Sequence, residues 1–307
     1  MSVLSKPYFH DETAAYAFLE SVIWPNGPTC PHCGNADSAK IGTLKGTATR
    51  PGVKKCYACR KQFTVKVGTV YESSHVPLHK WLQATFLLTS GKKGFSSHQL
   101  HRVLEVTYKT AWFMAHRIRE AMKPATPEPM GGDGAHVEVD ETYIGRIPGV
   151  PKRRGHQHKR TVVTLVERGG EARSFHVEKA NAKQIGPILA KHIKAESTLQ
   201  TDEAKLYIRL GEKFADHQSV NHVRDEYVRG TAHTNTVEGF YSIFKRGFKG
   251  IYQHCDEKHL HRYLAEFDFR YSNRSAVGVE DSERATKALR EIVGKRLTYR
   301  SANDASY

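Results

Sequence analysis

Two periodicities run along the chain, and they change over near residue 130. Between Pro77 and Met122 apolar residues recur every three or four positions. Leu78, Trp81, Leu82, Thr85, Phe86 and Leu88 form one such run, and Trp112, Phe113, Ala115 and Ile118 another. This spacing lays a stripe along one side of a 3.6-residue helix, and it predicts helices over Pro77–Thr89, Ser97–Leu104 and Lys109–Met122. Beyond residue 135 the period falls to two. In His136-Val-Glu-Val-Asp-Glu-Thr-Tyr143, Val137 and Val139 share one strand face and Glu138 and Asp140 the other. Thr161–Val166 and Ala172–Val177 flank Arg168-Gly-Gly-Glu171 and read as a hairpin. Asn181 precedes a helix with Ile185, Ile188, Leu189, His192 and Ile193 on one face, and Ser197–Thr201 is a short strand ending at Asp202. From Asn235 the helical period returns. Val237, Phe240, Tyr241 and Phe244 make an apolar stripe, opposite Asn235, Glu238, Ser242 and Lys245.

The change of period coincides with Lys123-Pro-Ala-Thr-Pro-Glu-Pro-Met-Gly-Gly-Asp-Gly134, whose three prolines and three glycines can continue neither a helix nor a sheet interior. The expected organisation is a small cysteine-bearing module over 1–72, a helical segment over 73–123, a linker over 124–134, an α/β body over 135–275, and a charged helix with a polar tail over 276–307. The order strand, hairpin, helix, strand is that of an RNase H-like domain, so the expected fold class is multidomain α/β with a mixed sheet in its second half. Two of the predicted helices, joined by Glu105-Val-Thr-Tyr108, read either as a plain bundle or as a helix-turn-helix-like DNA reader.

Charge narrows the partners. The 307 residues hold 47 Lys and Arg against 32 Asp and Glu, a net +15, of which +9 falls before residue 131. A polyanion is the expected partner. The basic residues singled out are Lys109, Arg117 and Arg119 on the third helix, and Arg153, Arg154, Lys159 and Arg160 in a loop that follows the first acidic strand. The first twenty residues carry acids and no apolar core, and no later run approaches the roughly 20 apolar residues of a membrane helix. The chain therefore reads as intracellular, with no membrane partner.

Cys30-Pro-His-Cys33 and Cys56-Tyr-Ala-Cys59 are separated by 22 residues. Two such knuckles give four thiolates to one tetrahedral ion, a closed structural zinc site that folds a module too small to fold by its core alone. A second metal chemistry is suggested by Asp140, Asp202 and Glu238, which come from two strand ends and one helix face. Carboxylates so placed hold hard divalent cations, and two Mg²⁺ ions can drive in-line phosphoryl transfer.

These motifs together resemble a known family. The cysteine ribbon, Val137-Glu-Val-Asp-Glu-Thr-Tyr-Ile-Gly145, Gln200-Thr-Asp202, His233-Thr-Asn-Thr-Val-Glu-Gly-Phe240 with Lys245-Arg246, and His259–Tyr271 are similar to the zinc-ribbon DDE transposases of bacterial insertion sequences, the ISXO-type group akin to Merlin elements. The resemblance implies Mg²⁺-dependent cleavage of double-stranded DNA at terminal inverted repeats and joining of the ends to target DNA. It also implies a homo-oligomer on DNA and a cytoplasmic, nucleoid-associated protein. Asp140 and Asp202 match the first two acids, Lys245 falls where such transposases keep a basic residue near the DNA end, and Arg246 beside it is a further DNA-binding candidate. The third ligand is Glu238 or Asn235. Parity sends Glu141 to the other strand face, outside this set. The alternative function is a non-catalytic zinc-ribbon regulator or a domesticated transposase.

Overall fold

The structure, a computed structural model, describes residues 2–46, 48–124, 126–152, 154–221, 226 and 228–298. The expected polar tail, 299–307, lies outside them. The chain forms two compact units, one of Met1–Lys123 with Glu280–Tyr307, the other of Pro124–Val279.

In the first unit, helix α1 (Glu12–Ile23) starts where the Asp11 side chain accepts from Ala14 N–H, and it buries Ala15 and Leu19. Strands β1 (Ile41–Thr43), β2 (Lys54–Cys56) and β3 (Gln62–Phe63) form an antiparallel sheet in that order. The strand expected over Gln62–Val67 stops at Phe63, because Val67 N–H bonds back to Thr64 and the chain turns through Gly68 at φ 75°. Helices α2 (Leu78–Ser90), α3 (Ser97–Leu104) and α4 (Tyr108–Ala121) follow. Ser96 and Gln99 close a capping box on α3, Thr107 caps α4, and Glu105 makes the turn between them at φ 52°, giving the helix-turn-helix-like pair. The last helix in chain order, α9 (Asp281–Arg290), packs on α2, and Arg284 donates to the Thr89 carbonyl. Ala288, Leu289 and Ile292 are its buried anchors. The ribbon, the helices and this C-terminal helix therefore share one unit, although the sequence reading gives each its own segment.

The second unit runs β4 (His136–Ile144), β5 (Arg160–Glu167), β6 (Ala172–Val177), α5 (Ala182–His192), β7 (Thr198–Thr201), α6 (Leu206–Gly211), β8 (Asp216–Ser219), α7 (Asn235–Gly247), a π-helical turn at Phe248–Tyr252, and α8 (Glu257–Ser272). Its sheet order is β6-β5-β4-β7-β8, with β4, β5 and β6 antiparallel and β4, β7 and β8 parallel. This is the RNase H-like mixed sheet expected. Because strand side chains alternate, the sheet is covered twice. Val137, Val139, Val163, Leu165 and Leu199 pack with Ile185, Leu189 and Tyr207 on the α5–α6 side. Val162 and Val166 pack with Val237, Phe240, Phe244, Leu264 and Phe267 on the α7–α8 side. Among the described residues, no helix is long and apolar enough to cross a membrane.

Candidate functional site

The cysteines meet as the spacing predicts. Their four sulfurs lie within 4.8 Å of one another, with Cys30–Cys59 and Cys33–Cys56 each at 3.7 Å. Four sulfurs about 2.3 Å from one ion form a tetrahedron with edges of about 3.8 Å, so the cluster fits zinc without rearrangement. Backbone N–H groups of Cys59 and Ala58 aim at the Cys56 sulfur and lower its pKa, while at Cys33 the pull of the Asn35 backbone is outweighed by desolvation and the three neighbouring sulfurs, which push it up, so the four thiols do not all ionise without a cation between them. Trp24, Ile41, Phe63 and Val67 surround the cluster.

The acids are assembled by strand register. Glu138 of β4 pairs with Gln200 of β7 in parallel, so two residues further along each strand bring Asp140, in the middle of β4, level with Asp202, just past the carboxyl end of β7. Ligand sites of α/β sheets form at such ends. Oxygens of Asp140, Glu141 and Asp202 all lie within 4.8 Å of one another. Asp140 Oδ1 accepts from Glu141 N–H at 2.7 Å, and Asp202 Oδ1 from Ala204 N–H at 3.0 Å. Burial first, and then the charges of Asp202 and Glu238, push the Asp140 carboxyl up to about 7, while the Glu141 N–H and Lys245 pull it down. Burial and the charges of Asp140 and Asp202 likewise hold Glu141 at about 7, against the hydrogen bond from Tyr207. Hard oxygen donors crowded at this cost in repulsion suit a divalent cation.

Glu141 corrects the expectation that placed it outside this set. Parity does send it toward the α5–α6 face, where the buried Tyr207 hydroxyl donates to Oε1. Yet β4 pairs with β7 only over His136–Glu138, so no β7 backbone stands between Glu141 and Asp202 beyond that point. Its adjacency to Asp140 was the available signal.

Helix α7 presents the remaining candidates. Its apolar stripe, Val237, Phe240, Tyr241 and Phe244, is buried, and the opposite positions Asn235, Glu238 and Lys245 are exposed. Glu238 stands apart from the three-acid cluster but close enough for its charge to raise Asp140. Thr234 Oγ1 donates to Glu238 Oε1 at 3.1 Å, and Lys245 lies over the Tyr241 ring at 5.8 Å.

The basic candidates divide by burial. Lys109, Arg154 and Arg246 are exposed and Lys159 is half-buried. Arg117 and Arg119 are not on a polar face, since they are 6% and 0% exposed. The Arg117 guanidinium sits over Trp81 and Phe113 and donates to the Glu72 carbonyl, because α4 is packed on nearly all sides. Arg160 is buried too, donating to the Cys255 carbonyl at 3.0 Å. Arg153 lies outside the described residues.

Two family models match separate stretches of the chain. Residues 131–272 match the ISXO2-like transposase domain, and residues 10–62 match the transposase zinc-ribbon domain. A Halobacterium salinarum protein described as an uncharacterized protein in transposable element ISH50 is 29% identical over 279 residues, covering 85% of this chain and 91% of its own. Among solved structures, the simian T-cell lymphotropic virus intasome in complex with PP2A regulatory subunit B56 gamma aligns at 12% identity and a TM-score of 0.30. That alignment covers 55% of this chain and 63%, less than two thirds, of the other. The cysteine cluster falls within one matched domain and the acid-bearing sheet within the other, so the chain carries a transposase zinc-ribbon domain followed by an ISXO2-like transposase domain.

Proposed function

We propose that this transposase cuts double-stranded DNA at the ends of its element and joins the freed 3′ ends to target DNA, using divalent cations held by Asp140, Asp202 and Glu238. The observation that carries this reading is the register that sets Asp140 of mid-β4 level with Asp202 at the end of β7, with α7 bringing Glu238 to bear on Asp140. Glu238 is preferred to Asn235 as the third ligand because its charge already reaches Asp140 and a carboxylate holds Mg²⁺ better than an amide. Glu141 adds a further carboxylate to the same cluster.

When bound, Mg²⁺, in a pair of ions, supplies an activated oxygen nucleophile and stabilises the leaving oxygen of an in-line phosphoryl transfer. The protein's own part is placement. The acids hold oxygens where the reacting phosphate must lie, and the partial burial of Asp140 and Asp202 limits screening by water, while Glu238 stands on the exposed face of α7. Lys245 and Arg246, exposed on the last turns of α7, are placed to meet phosphates of the DNA end. Lys109 of the first unit, and Arg154 and Lys159 of the second, are further candidates for phosphate contact, and one structural zinc on the four cysteines keeps the ribbon folded for DNA binding. Joining two ends to one target requires both in one assembly, so more than one copy of the chain is expected on DNA.

The test is a reaction of the full chain with a labelled duplex carrying the inverted repeats, in Mg²⁺ and in its absence. Asp140→Asn and Asp202→Asn are expected to lose cleavage by roughly 10³-fold or more while still binding the ends. Undiminished cutting by either variant sinks the assignment. Tight, salt-sensitive binding without cutting by the folded wild-type protein supports a regulatory or domesticated role instead.

A further inference from the structure

Two residues before Asp140, the Glu138 side chain has no solvent exposure. A buried carboxylate is costly unless every lone pair is used. Here they are used on α7, on the segment leading into it and on Arg168 of the β5–β6 turn. Oε2 accepts from the backbone N–H groups of Thr236 and Val237, at 2.7 and 2.9 Å. Oε1 accepts from Thr236 Oγ1 and Arg168 Nε, each at 2.7 Å, and His233 Nδ1 lies 3.1 Å away. Arg168 also donates to the carbonyls of Thr231 and His233.

These contacts make Glu138 the N-terminal cap of α7, supplied from a strand 98 residues earlier. The local cap residue does not do this. Thr234 makes no side-chain cap bond, and its hydroxyl goes to Glu238 instead. A second tie follows one turn on, where the Tyr241 hydroxyl donates to the Asp140 carbonyl at 2.5 Å. The two ties, at 236–237 and at 241, bracket Glu238 along the helix, and both end on the β4 segment that carries Asp140.

We propose that Glu138 is a positioning residue. Through the first turn of α7 it sets Glu238 relative to Asp140 and Asp202, and so tunes the cation affinity of the acid site without touching the cation. A carboxylate is required because it serves two backbone donors and a guanidinium at once, which an apolar residue of the same volume cannot. The inference rests on the reading of Asp140, Asp202 and Glu238 as the cation site.

The experiment measures Mn²⁺ binding by electron paramagnetic resonance on the zinc-loaded full chain without DNA, together with amide hydrogen exchange. Glu138→Gln is expected to weaken Mn²⁺ binding roughly 10- to 100-fold and to speed exchange at the amides of Thr236 and Val237. Thr236→Val removes one donor only; it should move both readouts the same way by less, and it decides the matter if Glu138→Gln does not fold. Asp268→Asn alters a half-buried carboxylate of this unit, one that accepts from Ser174 N–H and Oγ, and should leave Mn²⁺ affinity within about twofold. Faster exchange at 236–237 with unchanged Mn²⁺ affinity overturns the proposal, as does unchanged exchange. Retained Mn²⁺ binding by Asp140→Asn is a different result: it removes the acid-site reading, and this inference with it.

Discussion

Asp140 and Glu141 show how a single side chain's surroundings change its chemistry. Both are held at about 7, first by burial and then by their acidic neighbours, well above the ordinary carboxylate range near 4. The folded protein therefore keeps protons that the unfolded chain releases. Their contribution to stability is present in full below about pH 4 and is lost as pH rises through 7. A divalent cation competes with the same protons, so its binding should strengthen over that interval. Calorimetry of zinc-loaded protein free of other divalent ions is expected to show the second unit's melting temperature falling between pH 5 and 8. Added Mn²⁺ should restore more of it at pH 8 than at pH 5.5, and Asp140→Asn should reduce the fall. A melting temperature that is flat in pH would contradict the crowded-acid description. At this scale the sequence showed which residues could act but not what surrounds them. Asp140 and Asp202 were legible as acids on adjacent strand patterns, although β4 runs on to Ile144 and only Asp202 stands at a strand end, whereas the entry of Glu141 into the cluster depends on how soon β7 parts from β4.

Among the elements, α7 was the most legible. Its four-residue apolar stripe is buried and its polar positions are exposed, because one amphipathic helix on one sheet face obeys a single period. Phe244, with no exposure, packs among Phe240, Phe248 and Phe267. Phe244→Ala is expected to cost about 3–5 kcal/mol, read by urea denaturation of the second unit, with the acid cluster loosened in consequence. A loss below about 1 kcal/mol would mean that α7 is not docked as described. Helix α4 misled the reading for the converse reason. Eight of its residues, Arg117 and Arg119 among them, are buried, so positions that look polar in a one-sided pattern are enclosed by α2 and its neighbours. Guanidinium stems can lie along aromatic rings, and charge alone does not reveal that. Strand β3 ended early because a turn at Thr64–Gly68 took over from strand propensity.

For the whole molecule, the two units imply separable responses to metal removal. Stripping zinc, or Cys56→Ser, should unfold the ribbon and expose the first unit to protease while the second keeps its protection, as limited proteolysis with mass spectrometry can show. Equal loss in both units would argue against independent cores. The sequence by itself determined the clustering cysteines, the change from helical to strand period at residue 130, the hairpin, the acid-bearing strands and the amphipathic face of α7. Each of these is written in short-range spacing, which local geometry reads directly. Tertiary structure alone decided the packing of α9 onto α2, the burial of Arg117, Arg119 and Arg160, the approach of Glu141 to Asp202, and the cap that Glu138 places on α7. Those contacts join residues from a few dozen to nearly two hundred positions apart, and their energies depend on which faces the folded chain encloses, a property that no local period carries.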